Sequence, residues 1–345
     1  ASDVYKRQAF TCGLATDGVA ACWGALAGVA SDAPLGTYLD ITAGGAHVCG
    51  LAAGGAVSCF GGGPAMAASP PAGVRFQAIS AGRDVTCGVT RGGAVTCWGN
   101  ATSPIVAAAP QVAGTDFVEA ATGGVHACAL RANGSVVCWG APAGGATSPP
   151  SPTVVAASNS SGFDYLSAGE GITCAVASGV VGGVWCWGPA VDLSVTPVRD
   201  TVVEVACGAA GCVTLDAIGR LSFVGRRPVP AINAWTLVTI ASADAIRSIA
   251  CSADGSRLLA SVFGGTLLLS ADYGRTWRNV EAARSWGPVA VSSTALTMYA
   301  GVVGGQMFTS MDGGESWLPR ETSRSWRQVF TSESVSYTIS EPTRL

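Results

Sequence analysis

The sequence predicts an all-β fold of the propeller type, and three observations carry that prediction. Ten of the thirteen cysteines form five evenly spaced pairs, the pairs recur about every forty residues, and 47 glycines and 17 prolines favour short strands and turns over long helices. The pairs are Cys12/Cys22, Cys49/Cys59, Cys87/Cys97, Cys128/Cys138 and Cys174/Cys186. Their first members, with Cys212 opening a degraded sixth unit, stand at 12, 49, 87, 128, 174 and 212, in steps of 37, 38, 41, 46 and 38. Steps of this size suit a four-stranded propeller blade.

Within a unit, Cys12 and Cys22 are centred on Asp17, so a hairpin turning at Thr16-Asp17-Gly18 sets them opposite each other on antiparallel strands, within disulfide reach. Cys174 and Cys186 are twelve apart, an even insertion that keeps the register. A strand precedes each hairpin and ends in Gly44, Gly82, Gly123 or Gly169, five residues before the cysteine. This recurring glycine is expected to adopt a backbone conformation closed to other residues. In the sixth unit Phe223-Val224-Gly225 replaces Cys-Trp-Gly, leaving Cys207 as the nearest partner of Cys212 and Cys251 as a thiol.

The phrase Ala-Gly-x-x-His-x-Cys-x-Leu, turn, Cys-Trp-Gly, seen around Ala43–Cys59 and Gly123–Gly140, resembles the regulator-of-chromosome-condensation repeat. It is most similar to the cysteine-bearing version of bacterial secreted proteins and crinkly-type plant receptor ectodomains. The resemblance covers roughly residues 9–228 and implies a propeller, usually of seven blades.

After residue 230 the signature changes. Ser270-Ala-Asp272-Tyr-Gly274-Arg-Thr276-Trp277 recurs forty residues later as Ser310-Met-Asp312-Gly-Gly314-Glu-Ser316-Trp317. This resembles the Asp-box, or bacterial neuraminidase repeat, of sialidase-like and photosystem II assembly-factor propellers. The resemblance implies a structural turn: Asp and Ser oxygens satisfy backbone donors, Gly takes the awkward dihedral, and Trp packs. The expected organisation is a sequencing-adapter remnant at 1–8, a cysteine-rich propeller at 9–230 and two to three Asp-box blades at 231–345. Those blades read as a truncated fragment of a second propeller, with completion of the first ring as the other arrangement.

Composition narrows function. A net charge of −3 without basic clusters argues against nucleic acid, and no apolar run reaches the length of a membrane span. Five opposed cysteine pairs suit an oxidising compartment, hence an extracellular or secretory-pathway location. No Cys-x-x-Cys, phosphate loop or Gly-x-Ser-x-Gly elbow occurs, so no catalytic, metal or cofactor site is expected and the chain reads as a non-enzyme. His47 and His126 occupy a slot held elsewhere by Phe10, Val85, Ile172 and Ala210, which marks a packing position. Trp23, Trp98, Trp139 and Trp187 share one slot and read as inter-blade packing, whereas Trp185, Trp235, Trp286 and Trp326 are the candidates for exposed contact. Asn100, Asn133 and Asn159 open glycosylation triplets.

The function expected is a binding or scaffold module that holds a protein or glycan through the variable inserts 101–115, 141–162 and 189–201. The alternatives are a sialidase-like glycosidase fragment and a photosystem II assembly-factor-like scaffold.

Overall fold

A computed structural model describes residues 10–23, 36–61, 69–109, 112–141, 153–155, 162–169, 171–177, 183–187, 202–207, 211–216, 221–225, 236–238, 246–320 and 324–331. Among them the chain is almost entirely strand, with one short helix, Pro104–Ala108, whose first amide is received by the Ser103 side chain.

Among the described residues, eight antiparallel blades follow one another. Their inner strands are Tyr38–Ala43, Phe76–Ala81, Phe117–Thr122, Tyr165–Ala168, Val202–Cys207, Ile246–Cys251, Arg284–Val291 and Trp326–Thr331, and each contacts the next around a closed ring. The second to sixth blades carry the predicted hairpins: His47–Ala52 with Val57–Gly61, Val85–Thr90 with Val95–Gly99, His126–Arg131 with Val136–Gly140, Thr173–Ala177 with Gly183–Trp187, and Gly211–Asp216 with Leu221–Gly225. Pairing of Phe263 with Ser285 joins the seventh and eighth blades into one sheet.

The first blade takes strands from both ends of the chain. Its hairpin, Thr11–Ala15 with Ala20–Trp23, receives its inner strand from Trp326–Thr331, with Cys12 opposite Phe330 and Gly13 opposite Val329. In place of a separate second ring, the Asp-box blades complete the first one. Eight inner strands also exceed the seven blades that the repeat resemblance implied.

The hairpins obey the predicted register. Cys12 lies opposite Cys22, Cys49 opposite Cys59, Cys87 opposite Cys97, Cys128 opposite Cys138 and Cys174 opposite Cys186. Each pair is disulfide-bonded. Positive φ falls on the turn glycines Gly18, Gly55, Gly93 and Gly134 and on the glycine of Trp-Gly at Gly99 and Gly140. The sixth blade, lacking the outer cysteine, bonds Cys212 to Cys207 on its own inner strand. Cys251 is buried and forms no disulfide.

The recurring glycine at the end of the inner strand has a different cause from the one expected. Gly44, Gly82 and Gly123 are not among the positive-φ residues. A Cβ on Gly82 would stand 2.1 Å from the carbonyl oxygen of Gly123, one on Gly123 2.3 Å from that of Gly169, and one on Gly44 2.4 Å from that of Gly82. Glycine is required by the approach of neighbouring blades, because a side chain there would push the ring apart.

Side chains of one blade also bond the backbone of the next. The Thr42 hydroxyl accepts from the Ala81 amide and the Ser80 hydroxyl from the Thr122 amide, while the Thr122 hydroxyl donates to the Ser80 carbonyl. The Ser261 hydroxyl donates to the Gly287 carbonyl and the Thr331 hydroxyl to the Val291 carbonyl. These bonds satisfy polar groups that the tapering blades bury, and they make the ring one cooperative body.

Candidate functional site

One end of the ring gathers most features that could contact a partner. The turn following each inner strand lies there, and the segments after Trp-Gly leave beside those turns: the Asn100 amide bonds the Asp84 carbonyl, and the Ala141 amide bonds the Val125 carbonyl. The inserts 101–115 and 141–162 therefore depart from the same end. The Asp-box turns join them, since the Tyr273 amide bonds the Ser256 carbonyl and the Gly313 amide the Leu296 carbonyl. Val125, Leu296 and Met311 present exposed apolar side chains at this end.

The first insert is less free than a contact loop. Ile105, Ala108, Ala109 and Val112 are buried against the third and fourth blades, and the Trp139 indole donates to the Ile105 carbonyl. Thr102, Pro104, Ala107 and Ala113–Asp116 remain exposed. Most of insert 141–162, and all of 189–201, lies outside the described residues.

Both histidines sit between blades. His47 Nε2 is 2.7 Å from the Thr86 hydroxyl, and His126 Nε2 is 2.6 Å from the Thr173 hydroxyl. Burial lowers both to about 4, the Asp84 carboxylate only partly opposing this at His47, so both are neutral at pH 7. Of the tryptophans proposed for exposed contact, Trp185, Trp286 and Trp326 are buried, and Trp235 lies outside the described residues. Trp185 packs edge-on to Phe163, Trp286 to Phe308 and Trp326 to Trp23. Aromatic volume is used to fill the wedge between blades.

The two Asp-boxes have the same geometry. Asp272 Oδ1 accepts from the Ser270 hydroxyl and the Thr276 amide at 2.9 Å, the Thr276 hydroxyl reaches Oδ2 at 2.6 Å, and the Gly274 amide bonds the Ser270 hydroxyl at 2.8 Å. Asp312 repeats this with Ser310, Ser316 and Gly314. Its carboxyl is held far below the usual range, first by the Ser316 hydroxyl and amide. At Asp272 burial pushes upward but is outweighed by hydrogen bonds from Thr276 and Ser270. Every carboxylate oxygen is committed to its own turn. The Trp277 indole donates to the Gly274 carbonyl, and Trp317 is buried.

Asn133 is exposed at a hairpin tip, its Oδ1 accepting from the Ser135 amide and hydroxyl. Asn100 makes the same turn with Thr102. Asn159 lies outside the described residues.

Two features were not read from the sequence. Asp40 and Glu119 stand four residues before Gly44 and Gly123 on their inner strands. Burial raises Asp40 to about 6 against the opposing pull of Gln328 and Arg327, and raises Glu119 to about 8 against a bond from the Leu166 amide, with Asp40 adding repulsion. The bonding partners belong to neighbouring blades, so these acids tie the ring. The second feature is sulfur. Cys174 Sγ is 2.9 Å from Cys212 Sγ, and the sulfurs of Cys174, Cys207 and Cys212 all lie within 4.8 Å of one another. Elsewhere a first cysteine meets a hydroxyl across the blade gap, as Cys49 meets Thr86 and Cys128 meets Thr173.

The fourth blade decides the repeat type. Residues 117–143 match the regulator of chromosome condensation (RCC1) repeat. Three solved structures share the fold of this chain. The CRINKLY WD40 ectodomain of the Arabidopsis thaliana receptor kinase ACR4 is 18% identical, with 81% of this chain and 93% of that chain covered at a TM-score of 0.52. Human WBSCR16 is 15% identical, with 82% and 96% covered at 0.55. Prp20p of Saccharomyces cerevisiae is 14% identical, with 82% and 89% covered at 0.55. No curated protein matches in sequence. Among the described residues no helix is long and apolar enough to cross a membrane.

Proposed function

We propose that the chain is a non-catalytic, extracytoplasmic binding or scaffold module that holds a protein or glycan on the end face from which the inserts depart. The observation that carries this reading is the shared exit of inserts 101–115 and 141–162 beside the turns after the inner strands, where a rigid ring presents its most variable segments together. Six disulfides support an oxidising location. The absence of catalysis is supported by the two histidines and the two Asp-box carboxylates, all spent on structural hydrogen bonds.

The test exchanges the exposed positions Ala101, Thr102, Pro104 and Ala107, leaving Ile105 and Ala108 in place. Binding to a glycan array or to proteins of the surrounding fluid should be lost while the melting temperature stays within about 2 °C. Unchanged binding overturns the assigned face. Reduced thiols at Cys87 and Cys97 in native material overturn the location, and hydrolysis of a fluorogenic sialoside overturns the non-catalytic reading.

A further inference from the structure

Two Asn-x-Ser/Thr triplets fall among the described residues, and the fold treats them differently. Asn133 tops the hairpin that joins His126–Arg131 to Val136–Gly140. Its Oδ1 accepts from the Ser135 amide at 3.0 Å and from the Ser135 hydroxyl at 2.8 Å. The residue is exposed, and among the described residues its Nδ2 has no hydrogen-bond partner. The Gly134 carbonyl receives the Phe163 amide, and a Cβ on Gly134 would stand 2.4 Å from the Gly162 Cα. The tip is thus pinned to the next blade by backbone alone. Its neighbours Ala132 and Gly162 are small and leave room for a bulky substituent on the asparagine.

Asn100 makes the same turn in a tighter place. It is half-buried, its amide bonds the Asp84 carbonyl, its carbonyl receives the Ser103 amide, and the helix Pro104–Ala108 follows with Ile105 and Ala108 buried. The two asparagines also stand at opposite ends of the ring. Through Asp84, Asn100 adjoins a turn after an inner strand, on the end from which the inserts depart. The Asn133 hairpin instead meets the starts of inner strands: the Ala132 amide bonds the Asp116 carbonyl just before Phe117–Thr122, and Gly134 receives Phe163.

We propose that Asn133 is an N-glycan acceptor, that Asn100 is not, and that the sugar covers the hairpin end while the insert end stays bare. The transfer involves no oxidation or reduction. Asn133 Nδ2 forms a bond to the anomeric carbon of an oligosaccharide carried on a lipid diphosphate, and the amide gives up one proton. The bond from that carbon to the diphosphate oxygen breaks, and the lipid diphosphate leaves with the electron pair. Because this donor belongs to the eukaryotic secretory pathway, the modification rests on the extracytoplasmic location proposed above. The sugar would also shield Val118, an exposed apolar residue near the start of the same blade's inner strand.

The experiment secretes the full chain from a eukaryotic cell line and maps its asparagines by mass spectrometry after peptide-N-glycosidase, which converts each sugar-bearing Asn to Asp. The expected result is conversion at Asn133 and none at Asn100. Asn133→Gln and Ser135→Ala should each lose the gel shift that the glycosidase produces in the parent, whereas Ser135→Thr, which keeps the triplet, should retain it. Should the first two variants fail to fold, the map of the unsubstituted chain decides the matter. A folded, secreted chain with a bare Asn133, or with sugar at Asn100 as fully as at Asn133, overturns the proposal. Asn133→Gln should leave partner capture unchanged, and loss of capture in that variant overturns the bare insert end. Sugar at Asn133 together with unchanged binding after the insert exchange would overturn the assigned face and uphold the acceptor.

Discussion

Glu119 and His47 pull stability in opposite directions along the pH axis. Glu119 titrates at about 8 in the folded chain against an ordinary 4.5, so the folded state keeps a proton that the unfolded state has lost between those values. Its contribution is present at low pH, falls as pH rises through that window and is gone above about 8. Glu119→Gln keeps an acceptor for the Leu166 amide and removes the charge; it should raise stability at pH 8 by about 2 kcal/mol and flatten the slope from pH 6 to 8 in urea titrations. His47 is lowered to about 4, so its contribution is complete above about 6.5 and lost as pH falls toward 4. His47→Phe, the residue type that Phe10 supplies in the first blade, should remove part of the acid-side loss, read as a smaller drop in melting temperature between pH 6.5 and 4.5. Gly82→Ala tests the blade approach: its Cβ would stand 2.1 Å from a backbone oxygen, and the chain should lose about 3 kcal/mol, while Gly92→Ala, which meets only a side-chain atom at 3.8 Å, should cost little.

At the scale of the element, the hairpin is what the sequence discloses most fully. Turn, register and clasp are local, so ten-residue spacing about a Gly turn was enough to place Cys87 opposite Cys97. Replacing both with Ala should cost about 3 kcal/mol by releasing a ten-residue loop in the unfolded chain, seen as a lower urea midpoint. What depends on contacts some forty residues away was not legible. Gly44, Gly82 and Gly123 signalled constraint but not its cause, because the colliding carbonyl belongs to the next blade. Asp40 and Glu119 were missed although they share one offset from the recurring glycine, since other blades place Ala78 and Tyr165 there and no residue type repeats. The meeting of Cys174 with Cys212 was hidden for the same reason: spacing finds partners within a blade, and these sulfurs face each other across two.

The ring as a whole depends on one strand that comes from the far end of the chain. Trp326–Thr331 pairs along the whole of Thr11–Ala15, and Trp326 closes an aromatic group with Trp23 and Tyr299. Without it the first blade would be a two-stranded hairpin, a unit of marginal stability, and both its edge and the open flank of Arg284–Val291 would face water. Because every described inner strand packs against the next, the loss should spread beyond one blade. A chain ending at residue 323 should melt well below the intact chain, over a broader transition, and should self-associate through the exposed strand edge as judged by light scattering. Adding the peptide spanning residues 324–332 should restore part of the melting temperature in proportion to its concentration, since a ligand that binds only the folded state stabilises by mass action. A truncated chain that stays monomeric and melts like the parent would show that the blades stand independently and that closure contributes little.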